Sequence, residues 1–139
     1  MTYDPDNIFA KILRGELPCH KIYEDTDTFV FLDIMPRATG HMLVSPKTPC
    51  RNVLDASAEQ LAACIMTTQK MAQLAMTAFA ADGITLQQFN ERPGGQEVFH
   101  LHFHILPRHA GVSLRPPGQM ADQAQLKEHA EMLRALLAK

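Results

Sequence analysis

Three histidines alternate with apolar residues late in the chain, at His100, His102 and His104. Successive side chains of a β-strand point to opposite faces, so this alternation predicts that the three imidazoles share one face, about 6.5 Å apart. The apolar residues between them would then face the core. Strand propensity does not favour histidine, so three in such a row indicate a functional site.

Two chemistries suit this row of histidines. His-x-His on a strand can present two nitrogens to Zn²⁺, and a catalytic zinc site uses three protein ligands; no Cys-x-x-Cys or His-Glu-x-x-His motif lies nearby to support that use. A neutral imidazole is also a good nucleophile near pH 7. Gly94 and Gly95 lie just before the row, and glycines let the backbone approach a phosphate closely. The residues favour attack on phosphorus and leave the metal alternative open.

Turn and cap signals predict the elements that carry this row. Asp4 as N-cap with Pro5 at the first helical position predicts a short helix that ends at Gly15. The apolar stripe of this helix comprises Ile8, Phe9, Ile12 and Leu13. Residues with high β-propensity predict five strands, over residues 20–24, 28–34, 41–46, 84–89 and 98–106.

Two longer helices complete the predicted order. Ser57 and Gln60 form a capping box that begins the longest helix, and Gly83 is predicted to end it. The stripe predicted to pack on the core is Leu61, Ile65, Ala72, Ala75, Met76 and Phe79. Asp122 caps a last helix over about residues 122–138. The order α-β-β-β-α-β-β-α with short links predicts an α+β fold, a five-stranded antiparallel sheet with packed helices.

Composition narrows the class of function. The 139 residues predict one domain, residues 1–139. A net charge of −2 without a run of Lys or Arg argues against nucleic-acid and anionic-membrane partners, and no apolar window is long enough to span a bilayer. The cysteines Cys19, Cys50 and Cys64 are too few and too dispersed for a disulfide framework, which predicts a cytoplasmic location.

The segment from Gln96 to Arg108 resembles, over its whole length, the signature of the histidine triad (HIT) superfamily, Gln-x-Val-x-His-x-His-x-His-x-x-Pro-Arg. Shorter motifs resemble the Hint-like branch of that superfamily, and Asn90 matches a loop residue of the branch. Those motifs are Ile8-Phe9-x-Lys-Ile12, Gly15-Glu16-x-Pro18, Ile22-Tyr23-Glu24-Asp25, Phe31-Leu32-Asp33-Ile34 and Gly40-His41-x-Leu43-Val44-x-Pro46-Lys47. The likeness covers residues 7–108, and the motifs together are highly specific.

The resemblance implies a nucleotide hydrolase or transferase that needs no cofactor. It would act at the α-phosphorus of purine nucleoside phosphoramidates or related AMP conjugates. By the same resemblance, His102 is the nucleophile that becomes nucleotidylated. His100 and His104 would support phosphate binding and protonation of the leaving group, and His41 would join the same cluster.

The nucleotide-binding residues are also implied by the resemblance. Asp33 would accept hydrogen bonds from the ribose hydroxyls, a role that suits a carboxylate at the end of an apolar strand. Asn90, Gln96 and the backbone near Val98 would face the phosphate. The apolar residues that would line the base pocket are Phe9, Ile12, Phe31, Ile34 and Leu43.

Three positions depart from the family pattern. Some relatives hold zinc with an N-terminal Cys-x-x-Cys, but Asn7 and Ala10 stand at those positions here, which predicts no metal site of that kind. Glu97 replaces a small hydroxyl residue and is expected to point away from the phosphate. Glu91 follows Asn90 where the branch has glycine, which leaves the shape of the loop open.

Partners and alternatives complete the sequence-based hypothesis. The resemblance implies a homodimer in which two sheets join into one, with a purine nucleotide as the small-molecule partner. One alternative is a dinucleoside polyphosphate hydrolase, which belongs to a branch within the same class of nucleotidyl hydrolases. Others are a nucleotide-binding regulator without catalysis and a metal-dependent hydrolase that uses the same histidines.

Overall fold

The computed structural model describes residues 2–139. The helices and strands are α1 Ile8–Leu13, β1 Lys21–Glu24, β2 Thr28–Leu32, β3 Met42–Pro46, α2 Ala58–Ala78, β4 Gly83–Gln87, β5 Phe103–Arg108 and α3 Gln123–Leu137, with a short 3-10 turn at Arg92–Gly94. The strands form one antiparallel sheet in the order β1-β2-β3-β5-β4. The predicted α+β fold with a five-stranded antiparallel sheet is therefore confirmed.

One face of the sheet carries the larger hydrophobic core. Val30 of β2 pairs with Val44 of β3, and both are fully buried against Met71 of α2 and Leu133 of α3. Full burial of an aliphatic side chain stabilises the fold by about 1.5–3 kcal/mol. The core face therefore anchors α2 and α3 to the sheet.

The opposite face is smaller and carries the histidines. Phe31, Leu43 and His104 are register partners across β2, β3 and β5, so their side chains line one row on this face. Phe9 of α1 packs on the row with its ring centroid 5.1 Å from that of Phe31. We call this surface the site face, because the candidate functional residues lie on it.

Helix α1 begins later than predicted. Asn7, not Asp4, is the N-cap, and its side-chain oxygen accepts from the amide of Ala10 at 2.9 Å. Asp4 forms a turn ahead of the helix, because its carbonyl accepts from the Asn7 side chain. The predicted end is confirmed: Gly15 has a φ of +77° and donates to the carbonyl of Ile12, the left-handed C-terminal cap that favours glycine.

The capping box that begins α2 is confirmed, but Gly83 does not end this helix, and only part of the predicted stripe packs on the core. Gly83 opens β4, while α2 ends at Ala78 and is followed by Ala80 in the left-handed region at φ +48°. Of the predicted stripe, Ile65 and Met76 are 47% and 38% exposed. Ala75 of the stripe is buried, and Ala72 and Phe79 pack against the core as partly buried residues. The buried face also contains residues that the stripe left out, which are Cys64, Thr67, Thr68 and Met71.

Two buried threonines explain this shift of the packing face. The hydroxyl groups of Thr28 in β2 and Thr67 in α2 lie 2.8 Å apart and share a hydrogen bond. A buried polar group that finds such a partner loses little free energy relative to water. A pattern of apolar residues does not reveal this pairing, so the predicted stripe left out Thr67.

The loop before His41 touches the end of α2. Gly40 has a φ of +84°, and a Cβ there would lie 2.3 Å from the ring of Phe79, the C-cap of α2. Only glycine fits both the backbone and the space. The Pro36–Gly40 turn therefore packs closely against the end of α2.

None of the helices within residues 2–139 combines the length and apolarity that crossing a membrane needs.

Candidate active site

The alternation predicted that the three histidines lie in one continuous strand, and this prediction is wrong. β5 begins at Phe103, residues 98–100 form a bend and residues 101–102 are irregular, so among the three histidines His104 alone lies in the strand. The physical reason is Pro46 at the end of the neighbouring strand β3, since proline has no amide to continue the ladder. The side chain of His100 takes over instead, and its Nε2 lies 2.9 Å from the carbonyl oxygen of Pro46.

The bend orients the ring of His102. Its Nδ1 lies 2.7 Å from the carbonyl oxygen of His100, and because a carbonyl only accepts, Nδ1 carries the proton. The lone pair is therefore on Nε2. Burial lowers the pKa of His102 to about 4, which keeps the ring neutral at pH 7. The Phe9 ring packs edge-on against it at 4.7 Å between centroids.

His41 and His104 form a directed hydrogen-bond chain. The amide of Arg37 donates to Nδ1 of His41 at 3.1 Å, so the proton of the neutral His41 ring is on Nε2. That proton is donated to Nδ1 of His104 at 2.8 Å. His104 then carries its own proton on Nε2. Burial lowers the pKa of His41 to about 4 and that of His104 to about 3, so both rings are neutral.

Asp33, His41 and His104 have the spacing of a cation site, with one ligand atom each within 4.8 Å of the others. The proton positions do not fit that use. A cation on Nε2 of His41 would force the ring proton onto Nδ1, against the amide of Arg37. Asn7 caps α1 and Ala10 is a buried apolar residue, so the N-terminal positions offer no thiolate. The cluster fits a hydrogen-bond chain better than a metal centre.

His100 is 1% exposed and lies beneath the site. Its Nδ1 lies 2.7 Å from the hydroxyl of Tyr3, and its Nε2 is bonded to Pro46. Both ring nitrogens are therefore engaged within the protein. The structure does not place His100 beside His102 on an open face, and its side chain has no free donor for a phosphate.

Asp33 directly follows β2 and lies at the rim of the site. One carboxylate oxygen accepts from the amide of Met35 at 2.8 Å, and the other lies 3.6 Å from Nε2 of His41. The side chain is 21% exposed. Burial, and to a smaller extent the charge of Glu97, raises the pKa of Asp33. The second oxygen is thus available to a donor that enters from solvent.

The side chain of Gln96 points into the loop before the histidines and holds that loop together, instead of facing the phosphate site. The side chain is 2% exposed; its amide donates to the carbonyls of Arg51 and Val98, and its oxygen accepts from Asn52 and the amide of Glu91. All its hydrogen-bonding capacity is used. A direct contact between the Gln96 side chain and a phosphate, which the resemblance implied, does not fit this geometry.

The same loop accommodates Glu91 in the left-handed region, at φ +65°. Arg51 donates to both carboxylate oxygens of Glu91, at 2.7 and 2.9 Å, and Asn52 adds a third bond. These charge-assisted bonds offset the strained backbone. The side-chain oxygen of Asn90 accepts from the amide of Val53 at 2.9 Å, so Asn90 is tied to the loop that follows β3.

The remaining predicted residues fall into two groups. Four of the five base-pocket residues come together on the site face, with Val98 packed on the same cluster; they are Phe9, Ile12, Phe31 and Leu43. Ile34 lies outside this cluster and is 40% exposed. Glu97 is exposed, as expected.

Sequence reasoning missed the side chains that hold the site in place. Tyr3 lies 97 residues before its partner His100, and Arg51 and Asn52 lie 39 to 45 residues from their partners in the loop that they fix. No spacing rule links such distant positions. Arg37 could have been found from its place four residues before His41, although the contact comes from its backbone and not from its charge.

Comparison with known proteins agrees with this geometry. The family model described as HIT domain matches residues 14–111. Adenosine 5'-monophosphoramidase HNT1 of Saccharomyces cerevisiae is 34% identical over 97% of this chain and 85% of its own. A HIT-like protein involved in cell-cycle regulation from Bartonella henselae superposes with a TM-score of 0.93 and 49% identity, over 97% and 98% of the two chains. A Zn-bound histidine triad family protein from Mycobacterium smegmatis has a TM-score of 0.86 and 34% identity, over 96% and 94%.

Proposed function

Because the chain belongs to the HIT family of nucleotide hydrolases, we propose that it cleaves purine nucleoside phosphoramidates or related AMP conjugates through a nucleotidyl-histidine intermediate. The observation that carries the proposal is the orientation of His102. Its Nδ1–H is held by the His100 carbonyl, and its Nε2 lone pair is free in a ring that stays neutral at pH 7. A neutral, oriented imidazole is the nucleophile that this reaction requires.

The reaction proceeds in two displacements at phosphorus. The lone pair of His102 Nε2 forms a P–N bond while the bond to the leaving group breaks, and the leaving group departs with that electron pair. Water then attacks the same phosphorus, the P–N bond to His102 breaks, and the nucleoside monophosphate is released. In the net reaction, the water supplies the hydroxyl group to phosphorus and a proton to the leaving group.

His104 and His41 assist by hydrogen bonding. His41 holds the proton of His104 on Nε2, so His104 presents a donor beside His102, with the two ring centroids 4.9 Å apart. A fixed donor stabilises charge that develops on the phosphoryl oxygens or the leaving group. His100 acts through its carbonyl, and we propose it as a positioning residue instead of a phosphate ligand.

Nucleotide selection follows from the rest of the site face. Phe9, Phe31 and Leu43 form an apolar wall that suits a purine base, and the open carboxylate oxygen of Asp33 suits a ribose hydroxyl. Asn90 and the backbone of Val98 lie in and beside the loop that precedes the histidines. We propose that the Val98 backbone faces the phosphate, since the Gln96 side chain is already satisfied.

A turnover screen with trapping of the adduct tests this function. Adenosine and guanosine phosphoramidates are compared with dinucleoside polyphosphates, and samples are quenched at alkaline pH because the P–N bond is acid-labile. We expect fastest turnover of the phosphoramidates and the mass of one nucleoside monophosphate on the peptide that contains His102. Faster cleavage of the polyphosphates would favour the alternative hydrolase, and binding without turnover would favour the regulator.

Chelation tests the metal alternative. If imidazole itself attacks phosphorus, activity survives exhaustive treatment with EDTA within about twofold, whereas losing a catalytic Zn²⁺ removes several kcal/mol of transition-state stabilisation. Activity that disappears with EDTA and returns with Zn²⁺ would show that a metal carries the reaction.

We also propose the homodimer that the resemblance implies. β4 is an edge strand, its Leu86 is 47% exposed, and Ile65 and Met66 of α2 are 47% and 69% exposed. An unpaired edge strand and exposed apolar side chains are both surfaces that a second copy of the chain would cover. Light scattering should report twice the mass of the chain, and Met66→Glu should shift it toward monomer; a monomeric wild type would refute the dimer.

Compartment and remaining partners stay predictions. The three cysteines are free thiols, and burial raises the pKa of both Cys50 and Cys64 to about 12. Such buried thiols suit a reducing cytoplasm. We propose that the chain acts there on small-molecule nucleotides, without nucleic-acid or membrane partners.

A further inference from the structure

Tyr3 lies outside the family motifs, yet its side chain is hydrogen-bonded to one of the three histidines. Its hydroxyl lies 2.7 Å from Nδ1 of His100, and the two rings meet edge-on with centroids 5.7 Å apart. The residue is half-buried and sits ahead of α1. Neither the sequence motifs nor the two displacements described above give Tyr3 a role.

The direction of this hydrogen bond follows from the partners of His100. Nε2 of His100 faces the carbonyl oxygen of Pro46 at 2.9 Å, and a carbonyl only accepts, so Nε2 carries the proton. Nδ1 is then an acceptor, and Tyr3 must donate. Burial raises the pKa of the Tyr3 hydroxyl and lowers that of His100, so donor and acceptor both keep these states at neutral pH.

The bond matters because few hydrogen bonds hold the bend that contains His100; one of the others is the bond from the Gln96 side chain to the carbonyl of Val98. Within residues 98–102, the amide of Leu101 is bonded to the carbonyl of Cys50, and no sheet ladder continues there. The ring of His100 is the anchor of this segment, held on one side by Pro46 and on the other by Tyr3. The carbonyl of the same residue fixes the Nδ1–H of His102.

The segment around Tyr3 is itself tied to the loop beside the site. The carbonyl of Thr2 accepts from Arg51 at 2.9 Å, and Arg51 also holds Glu91. Glu91 in turn belongs to the loop that Gln96 organises. Thr2 and Tyr3, which precede α1, are therefore hydrogen-bonded to residues that hold the site in place.

We propose that Tyr3 is a positioning residue that, through His100, holds His102 in the tautomer with its lone pair on Nε2. The structural part of this proposal stands on contacts alone, and its kinetic consequence rests on the proposed function. Without the hydroxyl, Nδ1 of His100 is a buried acceptor without a partner, a state that proteins avoid by rearrangement. Rotation of that ring would also break its bond to Pro46, and the backbone of His100, whose carbonyl fixes the His102 tautomer, would then lose its side-chain anchor.

The test compares Tyr3→Phe with Tyr23→Phe. The control also removes one tyrosine hydroxyl from a half-buried hydrogen bond, the 2.9 Å bond from Tyr23 to Asp25, but Tyr23 packs on the core face. Two readouts are used: ¹⁵N NMR of the histidine rings, which reports each tautomer without substrate, and steady-state kinetics with an adenosine phosphoramidate.

In the wild type, we expect His100 protonated on Nε2 and His102 on Nδ1. In Tyr3→Phe, a second His102 tautomer should appear, and kcat should fall about tenfold while KM stays within about twofold. Tyr23→Phe should keep the wild-type tautomers and kcat.

An unchanged His102 tautomer in Tyr3→Phe would overturn the proposal, and so would equal losses of kcat in both variants. If the wild type does not turn over the phosphoramidate, the proposed function fails, but the NMR comparison still decides the role of Tyr3. Thermal unfolding of both variants shows that each is folded under the conditions of the measurement.

Discussion

The two faces of the sheet are built from alternate residues of the same strands, yet they differ in what fills them. On the core face, Val30 and Val44 pack against apolar side chains of α2 and α3. On the site face, Phe31 and Leu43 lie in a row with His104, and every buried imidazole there has named hydrogen-bond partners. Because successive residues of a strand point to opposite faces, one set of side chains can stabilise the fold while the other set forms the candidate site.

The largest expected effect tests the site face. His102→Ala removes the proposed nucleophile, so turnover should fall by about 10⁴-fold or more, the scale seen when covalent enzymes lose theirs. Binding of AMP and the circular dichroism spectrum should stay close to those of wild type. Full activity in this variant, or an adduct mapped to another residue, would refute the assignment of His102.

The matching change on the core face is Leu133→Ala. Leu133 is fully buried between α3 and the sheet, and such truncations lower the free energy of unfolding by about 2–5 kcal/mol. Urea denaturation measures this loss, and kcat at 25 °C should remain within about twofold because the site face is untouched. A parallel collapse of kcat in the folded variant would show that the two faces are not separable.

Asp33 lies at the rim of the site face and tests nucleotide recognition. A hydrogen bond to a charged acceptor contributes about 1.5–3 kcal/mol, so Asp33→Ala should weaken ribonucleotide binding by about ten- to a hundredfold. Isothermal titration with 2′,3′-dideoxy analogues supplies the control, since these lack the hydroxyls and should lose much less. Equal losses for both ligands would assign Asp33 a structural role.

The smallest effect is a slope of stability with pH. The pKa values of His41 and His102 are lowered to about 4, so between pH 6.5 and 4 the unfolded chain binds protons that the folded protein does not. The free energy of unfolding therefore falls as the pH falls, by about 1.4 kcal/mol per pH unit for each such histidine. Urea titrations from pH 7 to 5 measure the slope, and His102→Ala should reduce it by one histidine's share. An unchanged slope would mean that His102 is not held neutral.

Much of this arrangement is readable from local sequence signals. The capping box at Ser57, the left-handed cap at Gly15 and the two periods of apolar residues predict the elements because each signal acts within a few residues. The histidine motif likewise points to the chemistry. These features have their physical cause close by in the chain.

The errors come from causes that are distant in the chain. Pro46 ends the ladder that residues 98–102 would have continued, and Thr28 provides the hydroxyl that buries Thr67. Gln96 was predicted to face a phosphate, but Asn52 and Arg51 absorb its hydrogen bonds. In each case, tertiary contacts override a local pattern, and those contacts lie between 39 and 54 residues apart.

Gly40 joins the two faces that the sheet otherwise keeps apart. Its missing side chain leaves room for the ring of Phe79, so the last turn of α2 abuts the peptide that leads directly into His41. We expect a transient fraying of that turn to loosen the hydrogen-bond chain of His41 and His104 without any strand separating. Amide exchange near Phe79 and exchange of the His41 ring proton should then report the same local opening event, which starts at a helix end on the far side of the sheet.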